Sequence, residues 1–305
     1  MTDQTKPDWI AVDWGTTNLR AFAMRGDSMI AEAVSDDGMG KLARDAFEPA
    51  LIRLIEPWLS ARHQTSVIAC GMVGSRQGWH EAPYRTTPCH PLDPTALVAV
   101  PTTDSRIAVL VVPGLRQNRP ADVMRGEETQ IAGALVLNPG FDGVFCLPGT
   151  HSKWAHVSAG EVVSFQTFMT GELFSLLSTQ SVLRHGMTVG GWDDEAFDQG
   201  LSDALSRPEK IAANLFSLRA EGLLTGLAAP QARARLSGLL IGIELAAAKP
   251  YWLGQPIAII GADALSATYA RALSAQGNRP GIVPAADTVL AGLTLAHKSM
   301  MEVAR

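Results

Sequence analysis

Cysteine is scarce in this sequence, and its few copies do not form a recognisable pattern. The 305 residues contain three cysteines, Cys70, Cys89 and Cys146, at unrelated spacings. A disulfide framework and a zinc site built from clustered cysteines are therefore excluded. The histidines, at positions 63, 80, 90, 151, 156, 185 and 297, also lack metal-ligand spacing. We expect reduced cysteines and no metal site made only of protein side chains.

Long runs of one charge sign and long apolar runs are absent as well. Lys and Arg number 25 against 30 Asp and Glu, a formal charge of −5, and no basic stretch offers a footprint for nucleic acid. The longest apolar stretch, 236–248, is interrupted by Glu244 and is shorter than the roughly 18 residues that a membrane helix needs. Residues 1–12, MTDQTKPDWIAV, do not resemble a secretory leader. We expect a cytoplasmic protein without nucleic-acid or membrane partners.

The sequence does contain a repeated arrangement of strands and glycine turns. Hydrophobic residues make up 47% of the chain, as is typical of globular proteins, and the length suggests about two domains. Three short strands joined by turns are predicted over 9–34, and the same layout returns over 143–168. Three pairs of turn residues are each 134 positions apart (149 − 15, 150 − 16, 160 − 26), namely Gly15 and Gly149, Thr16 and Thr150, and Gly26 and Gly160. This offset indicates a duplicated unit, with chance agreement of Gly-Thr turns as the alternative.

Further strands and helices follow each of these layouts. Short apolar runs alternate with helical segments, at 66–70, 107–112, 257–260 and 281–284. This alternation predicts an α/β fold whose sheets are covered by helices on both faces. A helix is predicted over 127–137, and Asn138-Pro139-Gly140 is the hinge candidate. We therefore predict an N-terminal domain over 1–137 and a C-terminal domain over 138–305, meeting at a cleft. The last helix, 288–300, could pack on either domain.

The first glycine turn carries a carboxylate and hydroxyl groups. Asp13 ends the first strand, and Gly15, Thr16 and Thr17 follow it. Backbone amides beside a glycine and threonine hydroxyls can approach phosphate oxygens, and an aspartate can hold hydrated Mg²⁺. A metal-bound nucleotide is one interpretation, and an ordinary β-turn with Asp and Thr hydrogen bonds is the other. No Gly-x-x-x-x-Gly-Lys-[Ser/Thr] motif occurs, so a P-loop is excluded.

The second glycine turn differs because it has no carboxylate. Gly149, Thr150 and Lys153 offer backbone amides, a hydroxyl and a cation. This turn could hold phosphate, whereas the first could also hold a metal ion, as one ATP molecule across a cleft would require. For Lys153 an exposed strand position is the alternative.

Two acids at the start of the predicted helix over 127–137 are candidates for proton transfer. Glu127 and Glu128 follow Gly126. Acids in a first helical turn also complement the helix dipole, which is the structural alternative. Transfer of a phosphoryl group to an alcohol needs an acceptor for the hydroxyl proton, and a first-turn carboxylate could serve. A glycine-rich loop over 71–79 is either a surface loop or part of a small-molecule site.

Together these patterns resemble the sugar kinases of the actin, hexokinase and Hsp70 superfamily, and most closely the 2-dehydro-3-deoxygalactonokinase family. The resemblance extends over almost the whole chain through the ordered motifs AVDWGTTNLRAF, GMVGSRQGW, APY, VPGL, VMRGEETQIAG, LPGTHSKW, FMTGEL and LSGLLIGIE and the segment around Gly261. It implies two ribonuclease H-like domains, each with a mixed sheet, flanking an active-site cleft. It also implies ATP-dependent phosphorylation of the terminal hydroxyl of 2-dehydro-3-deoxy-D-galactonate in bacterial galactonate breakdown.

The resemblance also implies roles for particular residues. The segment from Asp13 to Thr17 matches the first phosphate loop of the superfamily, with Asp13 fixing Mg²⁺ through water, and Gly149-Thr150 matches the second. Related carbohydrate kinases have a Gly-Asp pair whose Asp is the catalytic base, and Gly126-Glu127 matches it here with a Glu in place of Asp. We take Glu127 as the base and Glu128 as its rival, because successive helical residues differ in direction by about 100°. The segment around Gly261 resembles the adenosine site.

An acidic substrate also needs a cation to bind its carboxylate. Arg20 and Arg76 are the candidates, with a solvent-facing strand position as the alternative for Arg20. Trp79 and Tyr84 could shape the sugar pocket. Two other functions remain open, namely kinase action on the gluconate epimer or another sugar, and a sensor that binds ATP and sugar without transferring phosphate. Retention of both acids favours catalysis, and no motif reports the oligomeric state.

Overall fold

The computed structural model describes residues 6–187 and 190–303. Its strands, in chain order, are β1 (Trp9–Trp14), β2 (Leu19–Arg25), β3 (Ser28–Ser35), β4 (Thr65–Gly71), β5 (Arg85–Thr86), β6 (Val98–Val100), β7 (Ile107–Val111), β8 (Leu115–Asn118), β9 (Ala121–Met124), β10 (Gly143–Leu147), β11 (Ser152–Ser158), β12 (Glu161–Phe168), β13 (Ile257–Gly261) and β14 (Gly281–Pro284). Its α-helices are α1 (Phe47–Ile55), α2 (Glu127–Leu137), α3 (Thr170–Thr179), α4 (Asp194–Ser206), α5 (Ile211–Leu224), α6 (Ala229–Ala247), α7 (Lys249–Trp252), α8 (Asp263–Ser274) and α9 (Ala285–Val303). Within these described ranges, no helix combines the length and the apolar character needed to cross a membrane. Residues 1–5, part of the segment compared with a leader above, lie outside the description.

Contacts within the chain divide it into two compact units. The first unit comprises Met1–Phe141, Ser158–Ser164 and Ala285–Arg305, and the second comprises Asp142–Val157 and Phe165–Pro284. The main segment of the first unit ends at Phe141, and the border predicted from the sequence lies at residue 137. Helix α9, for which the sequence left two possibilities open, belongs to the first unit.

The main sheet of the first unit is mixed, with the strand order β3-β2-β1-β4-β7-β6. Strand β1 pairs antiparallel with β2 and parallel with β4. Alternate residues of a strand point to opposite faces of its sheet. Ile10, Val12 and Trp14 accordingly join a core that contains residues of α1, whereas Trp9 and Ala11 join a core that contains residues of α9. Both faces of the sheet are therefore covered by helices.

Helices α2 and α9 of this unit approach each other through a pair of glycines. A Cβ atom at Gly133 would overlap the carbonyl oxygen of Thr288, and a Cβ atom at Gly292 would overlap that of Thr129. Any larger residue at either position would force the two helices apart. This close packing places α9 against α2, whose first residues belong to the candidate site.

The sheet of the second unit has the order β12-β11-β10-β13-β14. Strand β10 pairs antiparallel with β11 and parallel with β13, which is the arrangement of β1 between β2 and β4. Residues of α4, α6 and α8 share a buried core with strands β10 and β13. The predicted α/β class with a mixed sheet in each half is confirmed, and the matching strand arrangement supports a duplicated unit.

Candidate active site

The first Gly-Thr turn joins the antiparallel strands β1 and β2. The turn is closed by the Gly15 amide, which donates to the carbonyl oxygen of Asn18 at 2.9 Å. Two amides from a neighbouring segment also bond to the turn. The Met39 amide donates to the carbonyl oxygen of Gly15 at 3.0 Å, and the Gly40 amide donates to the carbonyl oxygen of Thr16 at 2.9 Å. Thr16 and Thr17 are exposed. The turn is thus held by backbone bonds, while its threonines are accessible to a ligand.

Asp13 lies at the carboxyl end of β1, beside two other strands. The sheet register places Arg20 of β2 and Cys70 of β4 opposite it. The Cys70 thiol donates to Oδ1 of Asp13 at 3.9 Å, which is a weak hydrogen bond. Burial raises the pKa of Asp13, Arg20 acts in the opposite direction, and the negative charge of Glu127 adds to the rise. Asp13 is therefore an acid next to a second acid, an environment that a cation would stabilise.

The start of α2 passes close to the end of β4. Gly126, which precedes the helix, has a φ of 103°, a conformation that favours glycine. A Cβ atom at Gly126 would lie 3.3 Å from the Cα of Gly71, and one at Gly71 would lie 3.6 Å from Oδ1 of Asp13. These approaches explain why the charges of Glu127 and Asp13 affect each other. The structure thus brings the predicted metal ligand and the predicted base together.

The two adjacent acids of α2 have different surroundings. Glu128 is 0% exposed, and its carboxyl accepts bonds from the Gly126 amide at 2.7 Å and the Thr129 hydroxyl at 3.1 Å. Burial raises the pKa of Glu128 to about 8, and the charge of Glu127 contributes to the rise. Glu127 is only half-buried, and its Oε2 accepts from the Arg125 amide at 2.9 Å. Of the two, Glu127 has the more accessible carboxylate.

The residues predicted for the sugar-acid pocket fall into two groups. Arg20 and Arg76 are exposed, and Arg76 also accepts a bond from Arg44 through its carbonyl oxygen at 2.6 Å. Trp79 is 9% exposed and belongs to the core, where its ring meets that of Trp14 edge-on with centroids 6.2 Å apart. Its position therefore corresponds to a packing role rather than to the wall of a sugar pocket.

Tyr84 is connected to the start of α2 through Arg125. The guanidinium carbon of Arg125 lies 4.3 Å from the centroid of the Tyr84 ring, which is the geometry of a cation–π contact. Arg125 also donates through Nη2 to the carbonyl oxygen of Ala82 at 2.7 Å. Tyr84 is half-buried, and its ring lies beside Arg125, the residue that precedes Gly126 and Glu127.

The second Gly-Thr turn, in the second unit, lies against the start of α3. The Glu172 amide donates to the carbonyl oxygen of Thr150 at 2.9 Å, and a Cβ atom at Gly171 would overlap the carbonyl oxygen of Gly149. Within residues 6–187 and 190–303, no neighbouring atom lies within 4 Å of the position that a Cβ atom would take at Gly149. Lys153 is 5% exposed, and its Nζ donates to the carbonyl oxygen of His151 at 3.4 Å. The alternative of an exposed strand position for Lys153 is therefore wrong.

A cavity of about 720 Å³ opens beside this turn. That volume lies within the range of small-molecule sites. Most of the exposed wall area is apolar, although several polar side chains take part in it. The lining includes Gly149, Thr150, Thr170, Phe174, Trp192, Arg233, Ser237, Leu240, Ala264, Leu265, Thr268 and Tyr269. Gly261 is the last residue of β13 and lies close to the second Gly-Thr turn. A Cβ atom at Gly261 would lie 3.5 Å from Pro148 and 2.9 Å from the Ser266 hydroxyl. The helix that follows, α8, supplies one wall of the cavity.

Comparison with known proteins identifies the family. A family model described as 2-keto-3-deoxy-galactonokinase matches residues 13–296. The chain belongs to this 2-keto-3-deoxy-galactonokinase family. It is 38% identical over 304 residues to a Rhizobium meliloti (strain 1021) protein named "Probable 2-dehydro-3-deoxygalactonokinase", with 96% of this chain and 97% of that protein covered. It is 35% identical over 294 residues to the 2-dehydro-3-deoxygalactonokinase of Escherichia coli (strain K12), with 95% and 97% covered.

A solved structure agrees with the 2-keto-3-deoxy-galactonokinase assignment. A crystal structure from Sinorhizobium meliloti, described as a candidate 2-dehydro-3-deoxygalactonokinase, has a TM-score of 0.89 and 37% identity, covering 96% of this chain and 99% of that chain. Component A of the (R)-2-hydroxyglutaryl-CoA dehydratase of Acidaminococcus fermentans, at 13% identity and a TM-score of 0.53, shares the fold alone. The family resemblance inferred from the motifs is confirmed, and the chain is a phosphotransferase with an alcohol acceptor.

Several residues around the site of this family member were missed by sequence reasoning. Gly38 is required by its neighbours, because a Cβ atom there would overlap the backbone of Thr16 and Thr17. The signal that could have identified this segment is the glycine pair in Gly38-Met39-Gly40, to which the sequence analysis assigned no turn. Trp192 and Arg233 carry no local signal, since each is a lone residue that the tertiary fold brings to the cavity wall.

Proposed function

We propose that this protein transfers the terminal phosphoryl group of ATP to the terminal (6-) hydroxyl of 2-dehydro-3-deoxy-D-galactonate, a step of galactonate breakdown. Membership in the 2-keto-3-deoxy-galactonokinase family over nearly the whole chain supports the reaction and its substrate. The observation that carries the chemistry is the accessible carboxylate of Glu127 beside Asp13 and the first Gly-Thr turn. Because ATP is the phosphoryl donor, we assign the reaction to the cytoplasm.

Glu127 is our candidate for the catalytic base. A base must be ionised and within reach of the hydroxyl proton that it accepts. Glu127 is half-buried at the start of α2, and its Oε2 accepts a bond from the Arg125 amide. Glu128 is a weaker candidate, because its buried carboxyl has a pKa of about 8 and is protonated at neutral pH. Its oxygens also accept bonds from Gly126 and Thr129.

Asp13 is our candidate for holding Mg²⁺ through water. The ion prefers oxygen ligands and usually keeps several waters while it binds one or two carboxylates and the phosphates of its nucleotide. Asp13 fits this donor set, and Glu127 adds negative charge beside it. Among the described residues, no group of three or more His, Cys, Asp or Glu side chains could hold a metal ion. When bound, Mg²⁺ would neutralise charge on the phosphate oxygens.

Each Gly-Thr turn is, within its own unit, a candidate for contacts with the phosphates of ATP. We assign phosphate contacts to the backbone amides and hydroxyls of the first turn, Gly15 to Thr17, and of the second, Gly149-Thr150, with Lys153 as a nearby cation. The open space at Gly149 supports this, because no neighbouring atom of the described residues lies within 4 Å of the place that a Cβ atom would take there. We assign adenosine to the 720 Å³ cavity beside Gly261 and α8, whose wall is largely apolar.

The sugar acid is assigned to the first unit. Arg20 and Arg76 remain our candidates for binding its carboxylate, since both are exposed cations. Arg20 also lies opposite Asp13 in the sheet. Tyr84, through its contact with Arg125 near Glu127, is our candidate for shaping the sugar pocket. We exclude Trp79 from this role because it is packed in the core.

The proposal is tested by measuring ADP release with Mg·ATP and a panel of acceptors. The panel contains 2-dehydro-3-deoxygalactonate, its gluconate epimer, galactonate, glucose and a control without acceptor. We expect release with the first compound alone. Faster release with the epimer or glucose would replace the substrate assignment. ATP binding without release above the control for any acceptor would overturn the kinase proposal in favour of a sensor.

A further inference from the structure

Glu244 is a buried acid whose surroundings suggest a role in the nucleotide site. It lies in α6 within the apolar stretch 236–248 and is 1% exposed. A carboxylate removed from water is costly unless hydrogen-bond donors replace the water. Burial raises the pKa of Glu244, and the bonds that it accepts oppose the rise. The sequence around it gives no reason for an acid, so the reason must lie in what it contacts.

The carboxylate of Glu244 accepts bonds from three different elements. Nε1 of Trp154, on β11, donates to Oε1 at 2.8 Å. The Tyr269 hydroxyl, on α8, donates to Oε2 at 2.7 Å, and the Thr170 hydroxyl, at the start of α3, donates to the same oxygen. The Ser152 hydroxyl lies 2.9 Å from that of Tyr269 and extends the network. One side chain of α6 thus joins a strand and two further helices.

Two of the three donors are part of the cavity wall. Thr170 and Tyr269 line the cavity, whereas Trp154 is fully buried in the core behind it. The bonds to Glu244 fix the direction of both hydroxyl groups. Because the network is formed by charge-assisted bonds in a buried environment, it holds these walls more firmly than apolar packing alone would.

The network also reaches the second Gly-Thr turn. Thr170 is followed directly by Gly171 and Glu172. Gly171 lies against the carbonyl oxygen of Gly149, and the Glu172 amide donates to that of Thr150 at 2.9 Å. A shift of Thr170 would therefore move the residues that support this turn.

We propose that Glu244 is a positioning residue of the nucleotide site: through Thr170 and Tyr269 it sets the shape of the adenosine cavity and the position of the Gly149-Thr150 turn. The inference rests on the proposed function, which assigns ATP to this cavity. Glu244 touches neither substrate; it acts through the two hydroxyl groups that it holds. Its loss should weaken nucleotide binding and leave the binding of the sugar acid unchanged.

The test measures ADP binding by calorimetry, and KM for ATP and for the sugar acid, in wild type, Glu244→Gln and Glu244→Leu. We expect the Gln variant to bind ADP about 10-fold more weakly, because an amide replaces charge-assisted bonds with neutral ones. The Leu variant should bind more weakly still, so that Gln partly rescues the function. KM for the sugar acid should change less than about twofold in the Gln variant.

Val157→Ala is the control for lost stability. Val157 is fully buried near the end of β11, away from the second Gly-Thr turn at its start, and is not part of the cavity wall, so this variant should unfold more easily but keep wild-type ADP affinity. If Glu244→Leu does not fold, Thr170→Val alone and combined with Glu244→Gln completes the test. A positioning role predicts that the combined loss of affinity is smaller than the sum of the separate losses, because both changes remove one bond.

Three outcomes decide between the inference and the function on which it rests. If the wild-type protein binds ADP and Glu244→Gln binds ADP with the same affinity, the inference is overturned while the proposed function stands. Equal weakening of ADP binding in Glu244→Gln and Val157→Ala would likewise mean that Glu244 has only a structural role. No ADP binding by the wild-type protein would overturn the proposed function and the inference together.

Discussion

The stability of the protein should fall as the pH rises from about 5 to about 8, and Glu128→Gln should remove most of that fall. Burial raises the pKa of Glu128 from its ordinary value of 4.5 to about 8. Between these values the unfolded chain has lost the Glu128 proton while the folded chain keeps it, so rising pH favours unfolding. Below about pH 4.5 both states are protonated and the effect vanishes. At about 1.4 kcal/mol per pH unit, the full effect is about 5 kcal/mol above pH 8.

The surroundings of Glu128 set the sign of this effect. The charged groups that face it are Glu127, Arg125 and, when ionised, the Cys70 thiol. Glu127 raises the pKa of Glu128, and Arg125 lowers it by less than burial raises it. Gln keeps the side-chain size and can still accept the bond from the Gly126 amide, so the variant should fold.

The assay is urea unfolding of wild type, Glu128→Gln and the matched control Glu127→Gln between about pH 5 and about pH 9. We compare the free energy of unfolding of Glu128→Gln with that of wild type at each pH. As the pH rises across this range, the difference should change by several kcal/mol in favour of the variant. Glu127→Gln should reduce the pH dependence only slightly, by removing one nearby charge. A difference between Glu128→Gln and wild type that is the same at every pH would refute the reasoning, since Glu128 would then be ionised throughout.

The same two variants separate the acids in catalysis. We expect Glu127→Gln to lower kcat by about 10²- to 10⁴-fold, the usual contribution of a general base, with little change in KM. Glu128→Gln should lower kcat by less than about tenfold, because a protonated carboxyl cannot accept the proton. Initial rates of ADP release measure both. The reverse order would make Glu128 the base.

Three further predictions concern the metal, the second turn and the packing of α2. Asp13→Asn should raise the Mg²⁺ concentration for half-maximal rate about tenfold, measured by titrating MgCl₂ at saturating ATP, and an unchanged titration would exclude Asp13 as the ligand. Gly149→Ala should raise KM for ATP about five- to tenfold. Its free energy of unfolding should change by less than about 0.5 kcal/mol, because the new Cβ atom enters open space. A wild-type KM for ATP in this variant would show that the turn does not contact the phosphates. Gly133→Ala should destabilise the protein by about 1–3 kcal/mol in urea unfolding, because the Cβ meets α9. Gly222→Ala, in α5 with no atom near its Cβ position, is the control and should stabilise by about 0.5–1 kcal/mol; equal effects of the two alanines would contradict the packing argument.

Much of the fold could be predicted because the signals are local. The strands Gly143–Leu147 and Gly281–Pro284 and the helix Glu127–Leu137 have the predicted bounds. Apolar runs, glycine turns and helical spacing are properties of neighbouring residues, so they predict elements without knowledge of the packing. The constant offset between the two meanders likewise predicted a shared strand arrangement. The motifs were sufficient to identify the family.

Side-chain environments, in contrast, were decided by contacts between residues far apart in the sequence. The pattern left Glu127 and Glu128 as rivals, and only the packing of α2 buries Glu128 and leaves Glu127 accessible. Trp79 was predicted to line a pocket, but the core around Trp14 holds it. The place of the last helix depended on the close approach of Gly133 and Gly292 to partners on the other helix.

The sequence by itself therefore determined the order of elements, the two Gly-Thr turns and the kinase family, because each of these is written in consecutive residues. The tertiary structure alone decided which acid is accessible, that Lys153 is buried, and that Glu244 joins Trp154, Thr170 and Tyr269. Burial and hydrogen bonding depend on what surrounds a group, and folding brings those surroundings from distant parts of the chain.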